Sequence, residues 1–297
     1  MTQNAILVAD FVHEVKKLVA ERVDALAVSL GVRDITGPLG AGKMLRTRLA
    51  ARLRCAGHAL DPDVLVHICA ATELVHTASL CHDDVIDGSV VRRALPALWT
   101  ATSPAAAVLV GDLLMCEASQ LVAETAGGRY VRPFVSKVHE VCAAEARQEL
   151  SLRGKALDDQ TSLRLARSKT GPFFALVAMV CSGDEADLAR ALEEAGYRIG
   201  TAYQLADDLW DLVGDEEAAG KTLGTDRRRN KFTLPQAPCD GRRVAAEHVA
   251  SLCERALSDL APWPRMAAAL EEFLTCDLRP VMERSVGPVD VFAGGGR

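Results

Sequence analysis

The chain has few of the sequence patterns that indicate β-sheets. Aromatic side chains make up only 4% of its 297 residues, and runs of alternating β-branched residues are nearly absent. Alanine, leucine, glutamate and arginine are abundant instead, and these residues favour helices. We therefore predict an all-α helical bundle with helices near residues 4–29, 42–56, 61–86, 104–124, 131–153, 160–182, 185–213, 241–260 and 264–284.

The chain also lacks a membrane-spanning run, a cysteine framework and a strong charge. Its apolar runs at 105–110 and 173–181 are far shorter than the ~20 residues that cross a bilayer, and no signal peptide is recognisable. The nine cysteines include no Cys-x-x-Cys pair, which indicates reduced thiols in the core of a cytoplasmic protein. A net charge of −6 gives no general attraction to nucleic acid. We predict a cytoplasmic protein with no transmembrane segment and no nucleic-acid partner.

No repeat, linker or shift in composition divides the chain. We predict a single domain over residues 1–297, with a flexible tail at 286–297. The Gly171-Pro172 pair falls inside a predicted helix and predicts a kink or a boundary there. Residues 214–240 form the one long stretch without a helical pattern. Loops of that length are usually functional or disordered, and the acidic cluster directly before this one favours a functional loop.

The pattern Asp-Asp-x-x-Asp occurs twice, at residues 83–87 and 207–211, each time in an apolar helical stretch. The first and last aspartates of each cluster share a helix face, about 6 Å apart. Carboxylates on an apolar face are costly unless cations offset their charge, and Mg²⁺ commonly bridges carboxylates to substrate phosphates. Two solvated acidic turns are the alternative, but the repeated pattern favours metal binding. The candidate metal ligands are Asp83, Asp84, Asp87, Asp207 and Asp211.

Basic residues follow both acidic clusters, as a site for phosphates bridged by Mg²⁺ would need. The residues concerned are Arg92, Arg93, Lys169, Lys221 and Lys231. A further pair, Lys43 and Arg46, stands at the start of a predicted helix, whose N-terminus also favours a diphosphate. The segment 37–44 looks like a nucleotide-binding Walker A loop. However, Met44 stands where a Ser or Thr would ligate Mg²⁺ and no buried strand precedes the loop, so a nucleotide triphosphatase is disfavoured.

Together these motifs resemble those of the trans-isoprenyl (polyprenyl) diphosphate synthases. The run from Glu73 to Asp87, with the arginine pair and Pro96 behind it, is similar to the first aspartate-rich motif of that family. The run from Tyr203 to Asp211, with Gly220-Lys221 and Lys231-Phe-Thr-Leu-Pro235 behind it, is similar to the second. Smaller family signatures follow the same order at Gly42-Lys43-x-x-Arg46, Gly111-Asp112, Gln148 and Lys169-Thr170-Gly171. The resemblance covers about residues 37–240. It implies the isoprenoid synthase fold, with both clusters facing a central cavity, and a homodimer.

The resemblance also implies a role for each site residue. Asp83 and Asp87 would hold two Mg²⁺ ions, and Asp207, with Asp211, a third. The allylic diphosphate would be bound by Arg92, Lys169, Thr170, Gln204, Lys221 and Lys231. Isopentenyl diphosphate would be bound by Lys43, Arg46, His76 and Arg93. The residues with a catalytic role would be Asp83, Asp87, Arg92, Lys169, Asp207 and Lys221. His82 is given a structural role, because imidazole is a poor Mg²⁺ ligand.

The implied reaction is a Mg²⁺-dependent prenyl transfer. An allylic carbocation forms as its diphosphate leaves, the double bond of isopentenyl diphosphate attacks it, and a proton is lost. The alternatives on the same fold are a class I terpene cyclase, a head-to-head condensing enzyme and a non-catalytic synthase subunit. A cyclase would normally carry a different second metal motif and has no need of Lys43 and Arg46. A non-catalytic subunit typically loses aspartates that this chain retains.

Product length is predicted from the residues one turn before the first aspartate. In the family, bulky aromatics at the positions of Ala78 and Ser79 stop elongation, whereas small side chains leave the pocket open. Both are small here, which predicts a product of at least twenty carbons, geranylgeranyl diphosphate or longer. The chain departs from the family pattern at Met44, Thr47, Ala94, Ala144 and the stretch 97–101.

Overall fold

The computed structural model of the chain describes residues 3–32, 39, 42–57, 61–125, 128–213, 233 and 241–286. Helices make up nearly all of the regular structure in these residues, so the all-α prediction is confirmed. The N-terminal elements are α1 (Gln3–Ser29), α2 (Leu45–Arg54), α3 (Pro62–Asp87), β1 (Val91–Arg92), β2 (Leu95–Pro96), α4 (Leu98–Ala101) and α5 (Pro104–Glu124). The remaining elements are α6 (Val131–Arg147), a π-helical segment (Gln148–Leu152), α7 (Asp159–Val180), α8 (Ala186–Val213), α9 (Gly241–Asp259), α10 (Pro264–Phe273), a second π-helical segment (Leu274–Leu278) and α11 (Arg279–Val286).

The chain divides into two compact units, neither of which is continuous in sequence. Unit 1 contains the described residues of 3–51 and 61–135, and unit 2 contains 52–57, 136–213 and 241–286. In unit 1, α3 packs against α1 and α5, and in unit 2, α8 packs against α7 and α9. Because each unit is assembled from separate stretches, this division assigns no boundary between sequence domains, and the single domain stays a prediction.

Local signals fix the ends of α3, the helix that carries the first acidic cluster. The side chain of Asp61 caps the helix by accepting a hydrogen bond from the backbone N–H of Asp63 at 3.0 Å, and Pro62 occupies the first turn, where its missing N–H costs nothing. The helix ends at Gly88, whose φ of 67° suits glycine and whose N–H bonds to the carbonyl of Asp84. The acidic cluster is therefore the last turn of a helix that is buried along most of its length.

Three predicted helix boundaries differ from the structure. Helix α2 begins at Leu45 rather than at residue 42, because Met44 has a φ of 54° that no right-handed helix accommodates. The predicted helices at 131–153 and 264–284 each change into a π-helical segment before their ends. The hairpin formed by β1 and β2 was not predicted.

No boundary occurs at Gly171-Pro172, because α7 runs through both residues. Proline inside a helix removes one hydrogen bond and costs about 3 kcal/mol. Residues 170–178 are all buried, and fully burying a single Leu, Val or Phe side chain contributes about 1.5–3 kcal/mol. Packing on both sides of the proline therefore outweighs the lost bond.

Two described helices, α3 and α5, are long and apolar enough to cross a membrane, each with a mean hydropathy of 1.5 over its best window. Within the structure 78% of the α3 window is buried, as in a core helix, whereas 39% of the α5 window is buried. Length and hydropathy alone are weak indicators of a membrane span, because core helices share them. The predicted absence of a transmembrane segment is therefore supported by packing for α3, while α5 keeps a partly exposed apolar face.

The sequence predicts that the cysteines lie in the core, and this holds for only some of them. None of the eight described cysteines forms a disulfide, and four of them are buried. The other four, Cys55, Cys116, Cys142 and Cys276, are exposed. The prediction of core positions was wrong for these four, because they lie on the outer faces of helices or next to a helix end.

Candidate active site

In the first acidic motif, the outer two aspartates face a different environment from the middle one. Asp83 and Asp87 are half-buried and stand one helical turn apart on α3, which places them about 6 Å from each other on one face. Asp84 points elsewhere and is only 4% exposed. The predicted pairing of Asp83 with Asp87 therefore agrees with the helix geometry.

Asp84 is bound by Arg92 of strand β1. The Nε of Arg92 donates to Oδ1 of Asp84 at 3.0 Å, and Nη2 of the same guanidinium donates to the same oxygen. Burial raises the pKa of Asp84, and the hydrogen bond and positive charge of Arg92 act in the opposite direction. Arg92 thus occupies one oxygen of Asp84, and a metal role for Asp84 would use the other oxygen.

A tight hairpin places Arg92 and Arg93 beside this motif. Strands β1 and β2 pair Val91 with Pro96 and Arg92 with Leu95, which leaves Arg93 and Ala94 as the two turn residues. Their φ values are 54° and 60°, as in the type I′ turn that suits two-residue hairpins. Arg93 is thus the first residue of a tight turn, directly after the strand that carries Arg92.

Three residues predicted to bind isopentenyl diphosphate come together in unit 1. Burial lowers the pKa of His76 well below its usual value, and the positive charges of Arg46, Arg93 and Arg92 lower it further. The imidazole is therefore neutral at physiological pH. The backbone of Gly42 lies against Arg93, because a Cβ added to Gly42 would stand 2.8 Å from the guanidinium Nη2. Lys43, the fourth predicted residue, is exposed in the segment before α2.

A buried carboxylate lies among these cations. Glu73 on α3 is 6% exposed and accepts a hydrogen bond from the hydroxyl of Thr47 on α2 at 2.9 Å. Burial lowers the pKa of Arg93, and the charge of Glu73 raises it. The sequence signal for Glu73 was its place in the family motif, but neither it nor Thr47 had been given a role.

His82 fastens the acidic end of α3 to α5. Its Nε2 lies 3.1 Å from the carbonyl oxygen of Val108 and 3.3 Å from a carboxylate oxygen of Asp112. A Cβ on Gly111 would stand 2.3 Å from the same nitrogen. Glycine at 111 therefore leaves the space that the imidazole fills, which agrees with a structural role for His82.

In unit 2, Lys169 is held by two residues from the end of α6. Its Nζ donates to Oε1 of Gln148 at 2.9 Å and lies 3.0 Å from Oε1 of Glu145. Gln148 is buried and begins the π-helical segment, a distortion that is frequent at functional sites. The contact of Glu145 with Lys169 was not predicted from the sequence.

The second acidic motif is tied to α7 through Gln204. Thr170 Oγ1 donates to Oε1 of Gln204, and the Nε2 of Gln204 donates to Oδ1 of Asp208 at 2.7 Å. Asp207 and Asp211, one turn apart on α8, are half-buried. In both motifs a protein side chain donates to the middle aspartate, and the outer two aspartates are half-buried.

Glycines allow α7 and α8 to approach closely enough for these bonds. A Cβ on Gly200 would stand 2.6 Å from the Cα of Gly171 and 2.8 Å from the carbonyl oxygen of Thr170. A Cβ on Gly196 would stand 2.5 Å from the Cα of Ala175. The four-residue spacing of Gly196 and Gly200, which places both on one helix face, was the overlooked sequence signal.

The carboxylates suit a cation that arrives with its substrate. Within the described part of the chain, no group of three or more Asp, Glu, His or Cys side chains is arranged to hold a metal ion. Each motif instead offers two half-buried aspartates one turn apart. Mg²⁺ is usually bound by one or two carboxylates together with substrate phosphates, so this donor set fits a magnesium diphosphate.

Two predicted residues, Lys221 and Lys231, lie outside the described residues, as does nearly all of the predicted functional loop at 214–240. The other predicted site residues fall into two groups. Those in unit 1 are Lys43, Arg46, His76, Ala78, Ser79, Asp83, Asp84, Asp87, Arg92 and Arg93, and those in unit 2 are Lys169, Thr170, Gln204, Asp207 and Asp211.

Comparison with known proteins identifies the family. Residues 36–241 match the family described as polyprenyl synthetase. The chain belongs to this family. It is 35% identical to the geranylgeranyl diphosphate synthase of Mycobacterium tuberculosis over 226 residues, 71% of this chain and 63% of that protein. It is 33% identical to the octaprenyl diphosphate synthase of Escherichia coli over 201 residues, 66% of this chain and 61% of that protein. The match thus spans less than two thirds of either relative.

A solved relative confirms the isoprenoid synthase fold. The polyprenyl synthase from Caulobacter crescentus CB15, determined with calcium and isoprenyl diphosphate, superposes with a TM-score of 0.79 at 26% identity. The alignment covers 96% of this polyprenyl synthetase family member and 97% of that chain. The resemblance inferred from the two aspartate motifs is therefore correct at the level of family and fold.

Proposed function

We propose that this family member is a divalent-metal-dependent trans-prenyltransferase that condenses isopentenyl diphosphate with an allylic diphosphate. The observation that carries the proposal is the shared arrangement of the two motifs. In each, a protein side chain donates a hydrogen bond to the middle aspartate, and the outer two aspartates are half-buried. Half-buried carboxylates one helical turn apart suit a magnesium diphosphate rather than a nucleophile or a general base.

The metal proposed for these sites is Mg²⁺. Two ions would be held by Asp83 and Asp87, and a third by Asp207 with Asp211. When bound, the metal would supply Lewis-acid stabilisation of the leaving diphosphate. The calcium of the Caulobacter relative supports a divalent cation in this fold.

The basic residues would divide between the two substrates. The allylic diphosphate would be bound by Arg92, Lys169, Thr170, Gln204, Lys221 and Lys231, and isopentenyl diphosphate by Lys43, Arg46, His76 and Arg93. The cations hold the departing diphosphate and so stabilise the charge that develops on it. Orientation of both substrates completes the catalysis, and the proton lost from the condensation intermediate would leave with the released diphosphate.

The names of the relatives support a chain-elongating synthase over the alternatives. Both curated relatives described above make linear prenyl diphosphates, as a terpene cyclase or a head-to-head condensing enzyme does not. A non-catalytic subunit is disfavoured because both aspartate pairs and their basic neighbours are present. We propose a product of at least twenty carbons, since Ala78 and Ser79 are small.

We further propose that the enzyme is a cytoplasmic homodimer. The absence of disulfides among the eight described cysteines supports a reducing compartment. A second copy of the chain would cover the partly exposed apolar face of α5, where Leu109 is 61% and Val108 39% exposed. Light scattering should give twice the chain mass of 31.7 kDa, and a monomer would contradict the dimer.

A product assay tests the proposed function. Purified protein is incubated with radiolabelled isopentenyl diphosphate and with dimethylallyl, geranyl or farnesyl diphosphate, and the dephosphorylated products are separated by chromatography. We expect labelled linear prenyl alcohols with Mg²⁺ and none after chelation by EDTA. Cyclic hydrocarbons from the allylic substrate alone would favour a cyclase, and no product from any pair would contradict the proposal.

A further inference from the structure

The buried hydrogen bond between Thr47 and Glu73 links α2 to α3 inside unit 1. The Thr47 side chain is 0% exposed and the Glu73 side chain 6%, and the hydroxyl oxygen stands 2.9 Å from Oε1 of Glu73. A buried carboxylate needs hydrogen bonds and opposite charge to remain ionised. Thr47 supplies a hydrogen bond from α2, and the neighbouring arginines supply the charge.

The negative charge of Glu73 acts on Arg93, although no direct ion pair joins the two side chains. Glu73 is the group that most raises the pKa of Arg93, against burial and against Arg92 and Arg46. In the part of the chain that the structure describes, no ion pair within 4.0 Å joins Arg93 to Glu73. The backbone of Gly42 lies against the guanidinium of Arg93.

We propose that Thr47 is a positioning residue that holds the Glu73 carboxylate away from Arg93 and so leaves the Arg93 guanidinium open to a diphosphate. This inference rests on the proposed function, in which that diphosphate belongs to isopentenyl diphosphate. Without the hydroxyl, one oxygen of Glu73 loses its partner. The carboxylate then turns towards Arg93, whose pKa its charge raises, and a direct Glu73–Arg93 pair competes with the substrate.

The role of Thr47 predicts a specific kinetic defect. Thr47→Val keeps the shape of the side chain and removes the donor. Because a hydrogen bond to a charged group is typically worth about tenfold or more in an equilibrium constant, the KM for isopentenyl diphosphate should rise about tenfold. The kcat and the KM for the allylic diphosphate should stay within about twofold, since only one substrate's binding is affected. Thr47→Ser, which retains the hydroxyl, should behave as the wild type does.

A second background separates positioning from packing. In Glu73→Gln the competing negative charge is absent, so adding Thr47→Val should change the KM for isopentenyl diphosphate less than about twofold. Thr47→Ala, which removes the same donor with less bulk, is measured in both backgrounds, so the test survives if the valine variant does not fold. Circular dichroism of each variant verifies that it is folded.

The outcomes distinguish this inference from the proposed function. A wild-type protein that makes no prenyl product from the two diphosphates overturns the proposed function. An active wild type with an unchanged KM in Thr47→Val and Thr47→Ala overturns the role of Thr47 alone. Equal effects of Thr47→Val with and without Glu73→Gln, or equal rises in both KM values, likewise overturn it and leave a packing role.

Discussion

Arg92 donates two hydrogen bonds to a single oxygen of Asp84 and thereby ties the hairpin after α3 to the last turn of that helix. The three aspartates of the first motif are therefore not equivalent. Asp83 and Asp87 stay partly accessible, whereas Asp84 is engaged by the protein. In the second motif Gln204 donates one hydrogen bond to the middle aspartate, Asp208, which is half-buried like Asp207 and Asp211.

This distinction predicts different metal dependence for neighbouring aspartates. Asp83→Asn should raise the Mg²⁺ concentration needed for half-maximal turnover more than about tenfold, because it removes a ligand. Asp84→Asn should lower turnover through a misplaced Arg92 and leave that concentration within about twofold. Turnover measured across a magnesium titration checks both variants. An equal shift in the two would show that Asp84 is itself a metal ligand.

How far the sequence predicts the site depends on the range of each interaction. The pairing of Asp83 with Asp87 follows from helical spacing alone, and the cap at Asp61-Pro62 and the end of α3 follow from local signals. The partner of Asp84 could not be predicted this way, because it depends on the left-handed turn at Arg93 and Ala94. The same is true of Thr47 with Glu73, which lie on different helices. Contacts between helices depend on packing that no single stretch of sequence encodes.

The half-buried His76 predicts a pH dependence of stability. Its folded pKa lies well below its unfolded value, because burial and three arginines disfavour the charged form. The unfolded chain therefore takes up a proton more readily as the pH falls below about 6.5. Stability from His76 is fully present above that pH and is lost below it, at up to about 1.4 kcal/mol per pH unit. Chemical denaturation measured between pH 7.5 and 5 should show that the free energy of unfolding falls less steeply with pH for His76→Gln than for the wild type. Identical slopes would contradict the assignment.

The hairpin turn predicts a stabilising substitution. Ala94 has a φ of 60°, and the left-handed conformation costs an L-residue about 1–2 kcal/mol. Glycine avoids that cost but loses more backbone entropy on folding, by about 0.5–1 kcal/mol. Ala94→Gly should therefore raise the free energy of unfolding by up to about 1.5 kcal/mol and Tm by up to about 5 °C. The matched control, Ala143→Gly on the exposed face of α6, should lower the free energy of unfolding by about 1 kcal/mol. A lower Tm for Ala94→Gly would show that the turn is not strained.

Product length should respond more cleanly to Ser79 than to Ala78. Ser79 is half-buried and its hydroxyl donates to the carbonyl of His76 at 2.8 Å, whereas Ala78 is 0% exposed. Ser79→Phe should shorten the product by one or more isoprene units. Ala78→Phe should shorten it as well, but at a cost in stability of about 1–3 kcal/mol, because an added ring overpacks the core.

Chromatography of the products checks these variants against the wild type. Leu80→Phe is the comparison variant and should change the product less than Ser79→Phe, because Leu80 is rotated by about 100° from Ser79 around α3. The prediction fails if the wild type stops at fifteen carbons or if Ser79→Phe makes the same product as the wild type.

The central claim is that one metal-dependent prenyl transfer needs both aspartate motifs, and steady-state turnover of Asp83→Ala and Asp207→Ala tests it most directly. Each variant should lose at least about 10²-fold in kcat at saturating Mg²⁺, because each removes an electrostatic stabiliser of the leaving diphosphate. The exposed control Asp24→Ala on α1 should retain wild-type turnover. If either motif variant turns over isopentenyl and allylic diphosphates at the rate of the wild type, the account is contradicted.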